Sequence, residues 1–167
     1  MLITESIHFV DSQQATDFRG AISPAASAYA DIALAQGSDT TVGPHKCIIN
    51  SVRIVSIQDL SWRVEFYGKS YSVHTASSYP DPSQLIGWSD HLRSNDNIPA
   101  NWTGIHTTTA TTFGTLFASF IGGLNIPYED RQGVGRLHVN LLNTSATAKS
   151  AGDVGLVHLR VGVVYAS

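Results

Sequence analysis

Towards its C-terminal end the chain alternates apolar and polar residues at a strict period of two. The apolar positions are Leu137, Val139 and Leu141, then, after a polar loop, Val157, Leu159, Val161, Val163 and Tyr165. Successive side chains of a strand point to opposite faces, so each run offers one continuous apolar face and a second face carrying His138 and Asn140, or His158 and Arg160. The pattern predicts strands over 136–142 and 154–165, joined as an antiparallel hairpin. β-Branched residues dominate Cys47 to Ile57, and after a short turn at Gln58 and Asp59, Trp62, Val64 and Phe66 alternate with Arg63, Glu65 and Tyr67. Strands are therefore expected over 47–57 and 61–67, forming a second hairpin with one buried and one accessible side. The expected core is Trp62, Val64, Phe66, Leu137, Val139, Leu141, Val157, Leu159, Val161 and Val163.

The rest of the chain is less regular. Residues 2–9 read as a short opening strand, with Ile3, Glu5, Ile7 and Phe9 on one side, and residues 11–20 as polar and irregular. Over 23–37, Ser23-Pro24 at the start and Gly37 at the end suit a helix, whereas Ala28, Ala30, Ile32 and Leu34 fall at period two and favour a strand. The strand reading is preferred because the remaining signals are β. Residues 68–112 hold Tyr71, Tyr79, Trp88 and Trp102 among prolines and polar residues and read as a long loop excursion, a length that usually carries function or contacts. Residues 113–121 form an apolar segment ended by Gly122-Gly123, Ser94 to Asn97 a turn, Gly133-x-Gly135 a turn before a strand, and Asn143 to Asp153 a polar loop. The expected architecture is all-β: an antiparallel, jelly-roll-like β-sandwich with an extended N-terminal segment and a long central loop region.

At 167 residues the chain suits one domain, with 1–46 as an N-terminal arm and 47–167 as the sandwich. Charged residues make up only 14% of it, against roughly 25% in typical soluble proteins. Such a surface suits a subunit packed against others, or simply a Ser- and Thr-coated soluble sandwich. The net charge is −3 and the ten Lys and Arg residues are scattered, so there is no basic stripe for a nucleic acid. The lone Cys47, in an apolar run, reads as a small buried hydrophobe. The start lacks the basic and apolar regions of a signal peptide, no stretch reaches membrane-span length, and a cytosolic setting is expected.

Motifs for chemistry are missing. The seven histidines form no H-x-H or H-E-x-x-H spacing; His138 and His158 would face each other across the C-terminal hairpin, more simply as a polar outer face than as a metal pair. No G-x-S-x-G elbow occurs, Glu65 is the one acid inside a well-marked strand, and Asp90, Asn95 and Asp96 match no calcium loop. No catalytic, metal-binding or cofactor-binding residue is assigned. The candidate interface is Tyr71, Tyr79, Trp88 and Trp102, whose rings suit a protein interface or stacking on sugars. The run Thr107 to Thr112 is a candidate edge for strand addition.

The segments Val42-Gly43-Pro44 leading into Ile48 to Ile54, Trp62 to Phe66, and Leu137 to Asn143 with Leu156 to Val161 resemble the β-sandwich decoration, or cement, proteins of tailed-phage capsids. The resemblance implies a jelly-roll-like, often trimeric protein without a cofactor that binds the outside of an assembled lattice of the major capsid protein. It implies a location in the virion and anchoring through an extended N-terminal segment, while the scattered basic residues and the lack of a span-length apolar stretch argue for no nucleic-acid or membrane partner. A carbohydrate-binding module, or a fibre- or tail-associated virion protein, is the alternative reading; an enzyme of cupin or hydrolase type has the least support.

Overall fold

The structure is a computed structural model, and it describes residues 7–12, 27–34, 46–56, 62–70, 81–91, 97–98, 116–144 and 157–165. Among these residues there are nine strands: β1 His8–Asp11, β2 Ser27–Ala33, β3 Lys46–Ser56, β4 Trp62–Tyr67, β5 Leu85–His91, β6 Asn97–Ile98, β7 Leu116–Glu129, β8 Arg136–Asn143 and β9 Val157–Tyr165. A 3-10 turn, Pro82–Gln84, precedes β5 and is capped by the Asp81 carboxylate, which accepts from the Ser83 N–H. All pairings are antiparallel, in a five-stranded sheet of order β1-β9-β3-β7-β6 and a four-stranded sheet of order β2-β8-β4-β5. The protein is an all-β sandwich, as its alternation predicts.

The strand pairs nest: β1 with β9, β2 with β8, β3 with β7 and β4 with β5. The chain is thus laid down as one long hairpin whose two limbs cross together from sheet to sheet. This corrects both expected hairpins. β8 lies between β2 and β4 in the smaller sheet while β9 lies between β1 and β3 in the larger, and β3 and β4 are likewise in different sheets. Alternation marks which face of a strand is buried, and that face is the same whether the partner is the next strand or one far along the chain.

Between the sheets lies one core. The larger sheet contributes Val10, Cys47, Ile49, Val52, Ile54, Tyr128, Leu159, Val161 and Val163, and the smaller contributes Ala30, Ile32, Leu34, Trp62, Val64, Phe66, Leu137, Val139 and Leu141. Nine of the ten expected core residues are in this set; the side chain of Val157 lies outside the described residues. Cys47 is buried, and desolvation pushes its thiol up to about 12.

Residues 27–33 form a strand, as the period-two reading preferred. The N-terminal region is not an arm where it is described. β1 and β2 are sheet members, and Val10, Ala30, Ile32 and Leu34 enter the core because their apolar side chains fall on the inner face. The opening strand starts at His8, so residues 2–6 of the expected strand lie outside the described residues.

The apolar segment before Gly122 does not end there: β7 runs through both glycines to Glu129. Gly122 and Ile126 on β7 face Ser51 and Ile49 on β3, so the longer β7 side bulges, and Gly123 at φ 71° and Asn125 at φ 50° take up the turn of the backbone. Within the expected loop excursion, β5 and β6 are strands. β5 escapes an alternation reading because its inward positions are Gly87, Ser89 and His91, with Trp88 facing out. A methyl group on Gly87 would meet Ile126 Cγ2 at 2.8 Å, so glycine there lets the sheets approach.

The buried polar pair on β5 is internally satisfied. His91 bonds through Nε2 to Ser89 Oγ (3.0 Å) and through Nδ1 to Ser119 Oγ on β7 (2.9 Å). Burial lowers the His91 pKa to about 4, against an ordinary value of 6.5. The unfolded chain therefore binds a proton that the fold does not, and stability present above pH 6.5 is lost as pH falls towards 4. The difference corresponds to about 3 kcal/mol. Urea melts at pH 4.5 and 6.5 are expected to show this acid-side loss in the native chain and much less of it in His91→Gln; equal slopes would show that His91 is not held neutral.

Candidate functional site

On the outer face of the smaller sheet, two rows of side chains run across the strands: Tyr29, Asn140, Glu65 and Trp88, and beside them Asp31, His138 and Tyr67. An outer face is ordinarily solvated, yet His138 is fully buried and Asn140 nearly so. His138 Nδ1 lies 2.6 Å from Asp31 Oδ1, and its Nε2 lies 3.1 Å from Asp130 Oδ1. With a carboxylate at each ring nitrogen, the imidazole donates from both and carries a charge. Burial alone would push the His138 pKa down, but the bonds to Asp31 and Asp130 and their charges outweigh it, and the pKa is raised. Burial acts to raise both carboxylates. It is outweighed for Asp31 by the bonds from His138 and Tyr29, and for Asp130 by the Arg136 N–H, His138 and the Gln132 N–H, so both are lowered.

Local sequence builds this cluster. Asp130 directly follows β7 and accepts from the backbone N–H groups of Gln132, Val134 and Arg136 at 2.9, 2.9 and 3.1 Å, closing the turn in which Gly133 and Gly135 both take φ 68°. That turn carries the chain from the larger sheet to the smaller and delivers His138 back onto Asp130. Tyr128 clamps the crossing: its hydroxyl donates to Arg136 O (2.8 Å) or Tyr67 O (3.0 Å) and accepts from the His138 N–H (3.0 Å). Tyr29 donates to Asp31, and Tyr67 and the Asn140 amide both donate to Glu65. A cleft of about 680 Å³ opens over the cluster, lined by Asp31, Lys69, Ser70, Arg131, Gln132, Val134, Arg136 and His138.

The opposite surface exposes large apolar side chains among ion-paired ones. On the outer face of the larger sheet, Ile7, Phe9, Ile48 and Phe120 are 45, 57, 38 and 66% exposed. One cross-strand row there reads Phe9, Gly162, Ser51 and Gly122 over β1, β9, β3 and β7. The Phe9 ring lies over Gly162 and the Phe120 ring over Gly122, so each phenyl covers bare backbone with one side and leaves the other to solvent. The Arg160 guanidinium, held by Asp11 at 2.7 Å, stands 5.8 Å from the Phe9 ring centre.

Of the four aromatic residues expected at an interface, Trp88 is half exposed on β5, with the Arg63 guanidinium 5.6 Å from its ring centre and Arg63 paired to Asp90 at 2.6 Å. Tyr71, Tyr79 and Trp102 lie outside the described residues, as does Thr107 to Thr112. His138 and His158 do not face each other: His158 is on β9 of the other sheet, 3.4 Å from Asp11. Glu65 is not the one acid in a strand, since Asp11, Asp31, Asp90 and Glu129 are also strand residues. Among the described residues no group of three or more His, Cys, Asp or Glu side chains is arranged to hold a metal ion. No family model matches the chain, and no curated protein is significantly similar to it in sequence. The class established is thus architectural: a two-sheet antiparallel sandwich with exposed apolar side chains on the outer face of one sheet and a charged cleft on the other.

Proposed function

We propose that the chain is a non-enzymatic structural protein of a virion, a decoration protein that sits as a homo-oligomer, most simply a trimer, on an assembled capsid. The exposed apolar face built by Ile7, Phe9, Ile48 and Phe120 carries this reading, because a solvent-facing apolar patch on a sheet is a common mark of a protein-binding surface. The strand orders β1-β9-β3-β7 and β2-β8-β4-β5 support reading the sandwich as a jelly roll, an architecture used in capsid and lectin domains. The test is co-sedimentation with capsids of the same virus. The native chain is expected to pellet with assembled capsids but not with free capsid subunits, and the double variant Phe9→Ser, Phe120→Ser is expected to stay folded and remain in the supernatant. A stable monomer that never co-migrates with capsids would remove the reading.

A second reading, a glycan-binding module, has its support in the exposed indole of Trp88 beside the Arg63–Asp90 pair, a ring to stack on a sugar next to groups that bond its hydroxyls. Unchanged tryptophan fluorescence across a panel of saccharides would count against it.

A further inference from the structure

The cleft over His138 is positively charged in a chain whose net charge is −3. Lys69, Arg131 and Arg136 line it as cations, and half-buried Asp31 with the buried His138 and Asp130 contributes one positive and two negative charges, leaving a net +2 from these six groups. Two of the cations keep donors for a ligand. The Arg131 Nη1 donates to Ser83 O and Gln84 Oε1, at 3.2 and 2.9 Å, which aims the guanidinium while its other nitrogens have no partner among the described residues. Lys69 is exposed, with Asp81 near enough to feel its charge.

The cleft also offers an acceptor. Asp31 Oδ1 takes the bonds from His138 and Tyr29, and its Oδ2 has no partner among the described residues. Separated cationic donors beside one carboxylate match a ligand that bears its own carboxylates and also donates N–H groups. A phosphate, with dense charge and few donors, would meet Asp31 at a cost. A sugar acid would want a broad aromatic platform, and among the described residues no Phe, Tyr or Trp lines the cleft.

We propose that this cleft binds an acidic peptide segment of a partner protein, with Lys69 and Arg131 holding its carboxylates and Asp31 accepting a backbone N–H. The proposal rests on the reading of the chain as a partner-binding structural protein, and it places a second, electrostatic contact on the sheet opposite the apolar one. Tetraglutamate is the probe, titrated into the full chain and followed by backbone amide NMR. Shifts are expected at Lys69, Arg131 and Arg136, with binding that weakens as salt rises. Lys69→Gln and Arg131→Gln are each expected to weaken binding about tenfold, as loss of a charge-assisted contact does. Lys46→Gln, which removes a surface pair with Glu129 and no residue of the cleft lining, is expected to leave it unchanged.

Absent binding, or binding indifferent to the cleft variants while they remain folded, overturns the proposal. Glucuronate binding as tightly as the peptide would make this a sugar-acid site, and inorganic phosphate doing so would make it a simple anion site; either also overturns it. Capsid co-sedimentation of the same variants separates the two readings. Native-like pelleting of Arg131→Gln sinks the cleft contact and spares the virion reading. Peptide binding without any capsid binding does the reverse.

Discussion

Replacing Asp130 with alanine is expected to cost about 3–5 kcal/mol, the range for removing one partner from a buried charged network. The carboxylate accepts three backbone N–H groups of the turn after β7 as well as His138 Nε2. Its loss orphans those donors and leaves a buried imidazolium with Asp31 alone. Asp130→Asn keeps one oxygen acceptor but not the charge, and an intermediate loss is expected. The pH dependence supplies a second readout. Because the His138 pKa is raised in the fold, its contribution is fully present below about pH 6.5 and is lost as pH rises through the folded value. Asp31 and Asp130 are depressed, so theirs is present above the ordinary carboxylate range and lost as pH falls through their folded values. The Ala variant should therefore lose much of the alkaline-side decline seen in urea melts of the native chain. A decline of native size would show that the imidazolium does not depend on Asp130.

Phe66→Ala is expected to destabilise by a comparable amount, about 3–5 kcal/mol, through lost burial and the cavity left behind. Phe66 is fully buried on β4 between Gly87 and Val139 of the flanking strands. With no side chain at Gly87 to collapse into the space, relaxation from that side is limited. In a chain of this size the loss corresponds to a Tm lower by roughly 6–20 °C. An unchanged Tm would place Phe66 on the wrong face of its strand.

Particular residues show what was legible in the sequence. Strands β3, β4, β8 and β9 stand out because burying one face imposes alternation, and Leu137, Val139 and Leu141 report that face directly. Their partners do not stand out, since the same three side chains would be buried against any neighbour. β5 was hidden by an inverted pattern: Ser89 and His91 turn inward because they satisfy each other and Ser119, a long-range arrangement that leaves no local signature. Of the charged cleft, only the turn glycines Gly133 and Gly135 were readable. Asp31, Asp130 and His138 look like ordinary polar positions on an outer face or at a strand end, and only the docking of β2 beside β8 makes them one group. The period-two spacing of Ala28, Ala30, Ile32 and Leu34 implies Asp31 on the opposite face, and that is the hint the sequence holds.

The nesting of strand pairs sets an order of events during synthesis. Among the described strands β1 pairs with β9 alone, and Asp11 meets Arg160 across 149 positions of sequence. At a ribosomal rate of roughly 5–20 residues per second, β1 emerges and then waits for something like 7 to 30 seconds for its neighbour. The larger sheet thus cannot close until β9 has been made, and folding driven by such distant contacts is intrinsically slow. Throughout that interval Phe9 and Val10 belong to an unpaired strand, so the nascent chain is a natural client for chaperones, and truncation before β9 should yield an aggregating product instead of a smaller sandwich.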